Sequence, residues 1–168
     1  KNKYKIVGIV DKKEFIGEDV LGYKIIASDD DLEMLFQKYQ YALVTIGQVK
    51  SNAIRVKLFT RLKKIGYQLP IVISPLAYVS KHAKIEEGTV IMHYAMVNAG
   101  AKVAQNCIIN SKALLEHDSI VEEHCHISTC VVLNGGVRVK SNSFVGSNST
   151  SKENTKIQGF VKAGSVAT

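Results

Sequence analysis

The sequence predicts an α/β layer (a truncated Rossmann-like unit) followed by a left-handed parallel β-helix of hexapeptide repeats, on three observations. From Val79 to Val145 every sixth residue is Ile, Val or Leu: Val79, Ile85, Ile91, Val97, Val103, Ile109, Leu115, Val121, Ile127, Leu133, Val139 and Val145. Two residues before each stands a second column, nearly all small: Ala77, Ala83, Thr89, Ala95, Ala101, Cys107, Ala113, Ser119, Cys125, Val131, Val137 and Ser143. Upstream of these columns, strand-like runs alternate with helical ones, the pattern of a parallel α/β layer.

A hexad holding one branched aliphatic and one small residue makes a short flat strand, and three hexads make an 18-residue triangular coil. The aliphatic side chain fills the core and the small residue fits the tight turn region. Coils stack about 4.8 Å apart, each satisfying the backbone N–H and C=O groups of the next. The aliphatic column lapses at Ser151, returns at Ile157 and weakens to Ala163, which predicts a looser coil or loop over residues 148–155.

In the first half, residues 4–10 read as a buried strand ending at Asp11. Ser28 with Asp31 forms a capping box before a helix with Leu32, Leu35, Phe36 and Tyr39 on its apolar face. Residues 41–46 read as a strand ending at Gly47. Ser51 caps a second helix bearing Ile54, Leu58 and Leu62, which stops near Gly66, and residues 71–73 form a third strand leading into the hexads. The expected domains are 1–74, α/β, and 75–168, β-helix. A nucleotide-binding α/β unit normally opens with a strand and a Gly-rich turn before the strand that ends in an acidic residue. The first strand here corresponds to that second one, so the layer is expected to lack its first βα unit.

A hydrophobic content of 46% excludes intrinsic disorder. No apolar run approaches the roughly 20 residues of a membrane span, and no signal-peptide segment follows the basic start. The chain reads as soluble and cytoplasmic, with no membrane partner. Its net charge of +7 is scattered and not interleaved with aromatics, which suits an anionic small molecule better than nucleic acid. Three cysteines without C-x-x-C spacing argue against a disulfide framework or a cysteine zinc site. Cys107 and Cys125, 18 residues apart, are expected to stack as small core residues. Histidines on one corner need separations near 18. His93 and His117 are 24 apart and His82 and His124 are 42 apart, so no metal site is expected.

The sharper signal is Glu116-His117-Asp118. His117 lies outside the aliphatic column, and an adjacent carboxylate holds an imidazole in one tautomer, as a general base requires. His126 follows, then Gly135-Gly136, a bare backbone able to offer an N–H to an oxyanion.

Together with VGIVD, TIGQVKSNAIR, INSKALLEHDSIVEEHCHIS and LNGGVRV, these features resemble the bacterial nucleotide-sugar acetyltransferases over nearly the whole chain. That family includes UDP-4-amino-sugar N-acetyltransferases and sialic-acid O-acetyltransferase-like proteins. The resemblance implies acetyl transfer from acetyl-CoA to the amino group of a UDP-linked amino sugar by a homotrimer. By the same resemblance His117 is the general base, Asp118 its supporting carboxylate, and Asn110 a neighbour of the reacting amine. His126, Gly135, Gly146 and Gly164 would line the acetyl-CoA channel. Asp11 and Lys13 would meet the uridine end of the sugar nucleotide, with Gly47 and Arg55 near its phosphates. The alternatives are an O-acetyltransferase on a sialic-acid-like sugar, a non-catalytic sugar-nucleotide binder and, most distantly, a metal-dependent hydratase of the γ-carbonic-anhydrase kind.

Overall fold

The computed structural model describes residues 4–168. Ile9–Val10 (β1) pairs in parallel with Tyr23–Ala27 (β3), which pairs antiparallel with Asp19–Val20 (β2). The predicted buried strand over 4–10 is therefore a short edge strand. β3 flanks it on one side only, residues 4–7 are exposed, and Ile9 and Val10 are half-buried.

The capping box forms as expected: the Ser28 N–H and Oγ–H both donate to Asp31 Oδ2 at 2.9 Å. It opens a 3-10 turn, Asp29–Asp31, that continues into α1 (Leu32–Phe36). Residues 41–46 build no ladder and contribute only a parallel bridge, Tyr41 to Gln68. α2 (Ala53–Ile65) follows, with the Ala53 N–H donating to Ser51 Oγ, and ends at Gly66, whose φ of +113° turns the chain away. Its buried face is Arg55, Phe59 and Leu62, whereas Ile54 is 66% exposed. The face is rotated from the expected one because backbone carbonyls beneath the helix hold the Arg55 guanidinium. Leu32, Val44, Phe59, Leu62, Tyr67 and Leu69 form the core of this half.

The second half is a triangular parallel β-helix. Its first face stacks Val72–Ile73, Val90–Ile91, Ile108–Ile109, His126–Ile127, Phe144–Val145 and Phe160–Val161. The second face stacks Tyr78–Val79, Met96–Val97, Leu114–Leu115, Val132–Leu133, Thr150–Ser151 and Val166–Ala167. The third holds Lys84–Ile85, Lys102–Val103, Ile120–Val121, Arg138–Val139 and Lys156–Ile157. The strand predicted at 71–73 thus belongs to the β-helix, paired with Val90–Ile91.

Two expectations change here. The small column is not confined to the turn region, since Ala95, Ala101, Cys107, Ala113, Cys125 and Val131 are buried in the same core as the aliphatic column. Nor does the helix loosen over 148–155. Thr150–Ser151 continues the second face, and Ser151 stays buried because its Oγ accepts the Asn134 N–H at 2.9 Å. The irregularity comes one turn later. Val145 pairs with Val161, 16 residues on instead of 18, so the column runs Ile157, Val161, Ala167 and leaves Ala163 exposed in a turn.

Each corner is made the same way. From Gly88 to Asn154, every sixth residue has a φ between +56° and +75°: Gly88, Tyr94, Gly100, Asn106, Lys112, Asp118, His124, Cys130, Gly136, Asn142, Asn148 and Asn154. Turn residues therefore stack corner upon corner, and the chemistry of the molecule is arranged along three edges. Among the described residues no helix is long and apolar enough to cross a membrane.

Candidate active site

The corner between the second and third faces carries the histidine pair. His117 Nδ1 lies 3.0 Å from Asp118 Oδ2, and both side chains are exposed, His117 by 68%. With the carboxylate accepting an Nδ1–H, the lone pair is left on Nε2. The ring lies against the next coil: a Cβ on Gly135 would fall 2.7 Å from His117 Cε1 and Nε2. The Gly136 N–H donates to the His117 carbonyl at 3.0 Å, and Glu116 Oε2 accepts from Asn98 Nδ2 at 2.7 Å. Gly135 is buried beneath the ring, so its placement is that of a platform for the imidazole.

A second group gathers on the first face and its corner with the second. His126 Nδ1 donates to the Gln48 carbonyl at 2.5 Å, and its Nε2 accepts from Asn110 Nδ2 at 3.2 Å. Asn110 Oδ1 in turn accepts the Ser111 N–H. Burial lowers the His126 pKa below the usual imidazole value, so the ring is neutral near pH 7. Gln48, the residue after Gly47, is thereby tied to His126, while Gly47 itself is exposed. With both nitrogens engaged, His126 fastens the loop to the coil. Gly164, at φ +69°, is an exposed turn residue farther along the same corner. Gly146 is buried under the next coil, where a Cβ would meet the Ala163 nitrogen at 2.5 Å. Close coil packing accounts for that glycine.

The other expected site residues lie apart from one another. Asp11 and Lys13 are exposed at the end of β1, where Asp11 Oδ1 accepts the Lys12 N–H and Lys13 Nζ pairs with Asp30 Oδ2 at 2.8 Å. Asp30 raises the Lys13 pKa by that hydrogen bond and its charge. Arg55 lies buried between the two halves. It is 1% exposed, its Nη1 donates to the Val44 and Ile46 carbonyls at 2.7 and 3.0 Å, and it also reaches the Asn106 and Gly88 carbonyls. A guanidinium spent on four buried carbonyls joins the α/β half to the coil.

Sequence reasoning missed the rest of that junction. Gln48 Nε2 and Asn52 Nδ2 both donate to the His124 carbonyl, Asn52 Nδ2 also reaches Asn142 Oδ1, and His124 Nδ1 meets Asn106 Nδ2. The legible trace was polar residues at corner positions, which says nothing about what covers them. Among the described residues no three His, Cys, Asp or Glu side chains gather in a way that could hold a metal ion.

The bacterial transferase hexapeptide family (six repeats) matches residues 82–117. The whole chain is similar to the acetyltransferase domain of PglB from Neisseria gonorrhoeae FA1090, at 28% identity and a TM-score of 0.86 over 96% of this chain and 78% of that one. It is also similar to PerB from Caulobacter crescentus, solved with CoA and GDP-perosamine, at 30% identity and a TM-score of 0.84 over 89% of this chain and 72% of that one. The PglB domain in complex with acetyl coenzyme A matches at 26% identity and a TM-score of 0.78, over 89% of this chain and 74% of that one. On this likeness and the stacked triangular coils, the chain belongs to the bacterial nucleotide-sugar acetyltransferases, acetyl-CoA-dependent acyltransferases built on a left-handed β-helix.

Proposed function

We propose that the chain acetylates the amino group of a UDP-linked amino sugar as a homotrimer, with His117 as general base. The observation that carries this is the His117–Asp118 pair, held at 3.0 Å over the bare α-carbon of Gly135 at an exposed corner. The sugar amine attacks the thioester carbonyl. His117 Nε2 takes the proton the nitrogen must lose, the new N–C bond replaces the C–S bond, and coenzyme A leaves as thiolate. Asp118 holds the ring through Nδ1. Asp11, Lys13 and Gly47 of the region 1–74 are assigned to the nucleotide, and Asn110 to the side of the amine.

The placement of these groups supports the trimer. His117 is at one edge of the second face, and Asn110 is at the other. Between them the face turns Tyr78, Met96, Leu114 and Val132 outward, with Tyr78 and Met96 exposed. Copies packed through that apolar face bring the base edge of one against the Asn110 edge of the next, which fits a closed ring.

The test is an acetyl-transfer assay on His117→Ala with acetyl-CoA and a UDP-4-amino sugar. At saturating substrate, kcat is expected to fall about 10²–10⁴-fold, and a variant keeping more than about a tenth of the rate removes His117 from the base role. Calorimetric titration with UDP- and GDP-amino sugars decides the nucleotide, since the Caulobacter relative was solved with GDP-perosamine.

A further inference from the structure

Gly100 sits one coil before Asp118 on the same corner, where the Asp118 N–H donates to the Ala99 carbonyl. The Asp118 carboxylate folds back over it, so that a Cβ at position 100 would lie 2.2 Å from Asp118 Oδ1 and 3.2 Å from its Cγ. Those distances are overlaps that no carboxylate can accept while keeping its place. The other oxygen of the same carboxylate, Oδ2, is the one bonded to His117.

The backbone alone does not call for glycine. Gly100 has φ +75°, but Tyr94, Lys112, His124 and Cys130 occupy the equivalent corner positions at φ 57–60°, and Asn does so at 106, 142, 148 and 154. Side chains also stack directly on one another in successive coils elsewhere, as Asn106 and His124 do. The other two corners thus tolerate a Cβ, whereas on this one Gly100 lies under Asp118 as Gly136 lies under Asn154, where a Cβ would fall 2.2 Å from Asn154 Oδ1. At position 100 the missing atom makes room for one particular conformer of Asp118, the one turned toward the imidazole.

We infer that Gly100 is a positioning residue for acetyl transfer, a vacant seat that fixes the Asp118 carboxylate on His117 Nδ1 and so keeps the His117 lone pair on Nε2. The inference rests on the reading of His117 as the base. It predicts that a methyl group at position 100 acts through Asp118 and not through general loosening of the coil.

The experiment is a kinetic double-mutant cycle on the trimeric enzyme, with Gly100→Ala and Asp118→Asn alone and combined. Gly100→Ala is expected to lower kcat about tenfold or more, part of the full general-base effect, with KM for acetyl-CoA unchanged. Adding it to Asp118→Asn should then cost little further. Nitrogen-15 spectra of the His117 ring should show the Nδ1–H form losing population in Gly100→Ala. If Gly100→Ala does not fold, Gly100→Asn introduces the same Cβ with the residue the other corners already accept. A kcat within about threefold of wild type, or a loss that is the same in the presence and absence of the Asp118 carboxylate, overturns the inference. Should His117→Ala itself stay active, the base reading fails and this inference falls with it. An inactive His117→Ala beside an unimpaired Gly100→Ala sinks the inference alone.

Discussion

A single methyl group is also the sharpest probe of the platform under the imidazole. Gly135 has no positive φ to protect, so Gly135→Ala changes only the space in which the His117 ring lies, 2.7 Å from the added carbon. We expect kcat to fall about tenfold or more as the ring is displaced, while the melting temperature moves by only a few degrees (about 1 kcal/mol). A steady-state assay beside a thermal melt measures both. A second residue-scale prediction concerns Glu122. Lys140 first, with the Ser141 backbone and Arg138, holds this carboxyl down to about 2 against an ordinary 4.5. A carboxyl depressed on folding stabilises the native state above its unfolded value, and the contribution is lost as pH falls through the folded value. Glu122→Gln should therefore melt below wild type at pH 6, with the gap closing between about pH 4.5 and 2. At this scale the sequence singled out His117 because it stands outside the aliphatic column between two acids, Glu116 and Asp118. It could not reveal that Arg55, Gln48, Asn106 and His126 are buried partners, because burial of a polar group depends on which distant loop lands upon it.

Among the elements, α2 shows the same limit and makes its own prediction. Its hydrophobic spacing pointed to Ile54, Leu58 and Leu62, but a cation with four carbonyl partners outweighed an isoleucine for the inward position. Burial pushes the Arg55 pKa down to about 10, which still leaves the guanidinium charged at neutral pH. Arg55→Met would leave buried carbonyls without donors, at roughly 1–3 kcal/mol for each one that water cannot reach. The expected result is a separate early unfolding transition of the α/β half, followed by calorimetry, with the coil melting later. The hexads were legible because their period fixes strand, register and core at once. The first half was less so, because an edge strand and an unladdered run at 41–46 have no such redundancy. Leu115→Ala, in the centre of the coil, should cost about 2–5 kcal/mol of stability in denaturant melts.

For the whole molecule, the decisive quantity is the state of assembly. The outward residues of the second face are apolar except Thr150, while those of the third include Lys84, Lys102, Arg138 and Lys156. Met96→Asp combined with Val132→Asp should release monomers, by light scattering during gel filtration, that keep the circular dichroism of the coil. Their acetyl transfer should be lost, because the two edges of the proposed site would no longer meet. A monomeric variant with full activity would place all the chemistry within one copy.

The corner arithmetic has a bearing on how such a chain can change over generations. Inserting or deleting one hexad leaves the aliphatic column intact, so the chain still folds. Everything beyond the lesion, however, is carried one edge around the prism. Three hexads together restore the edge and merely lengthen the column. Foldability is thus inherited in steps of six and chemistry in steps of eighteen. The 16-residue coil at Val145–Val161 shows that a coil can lose two residues and the next strand, Val166–Ala167, still pairs in parallel with Thr150–Ser151. Duplications ahead of Glu116 should therefore survive as active enzymes only in whole turns.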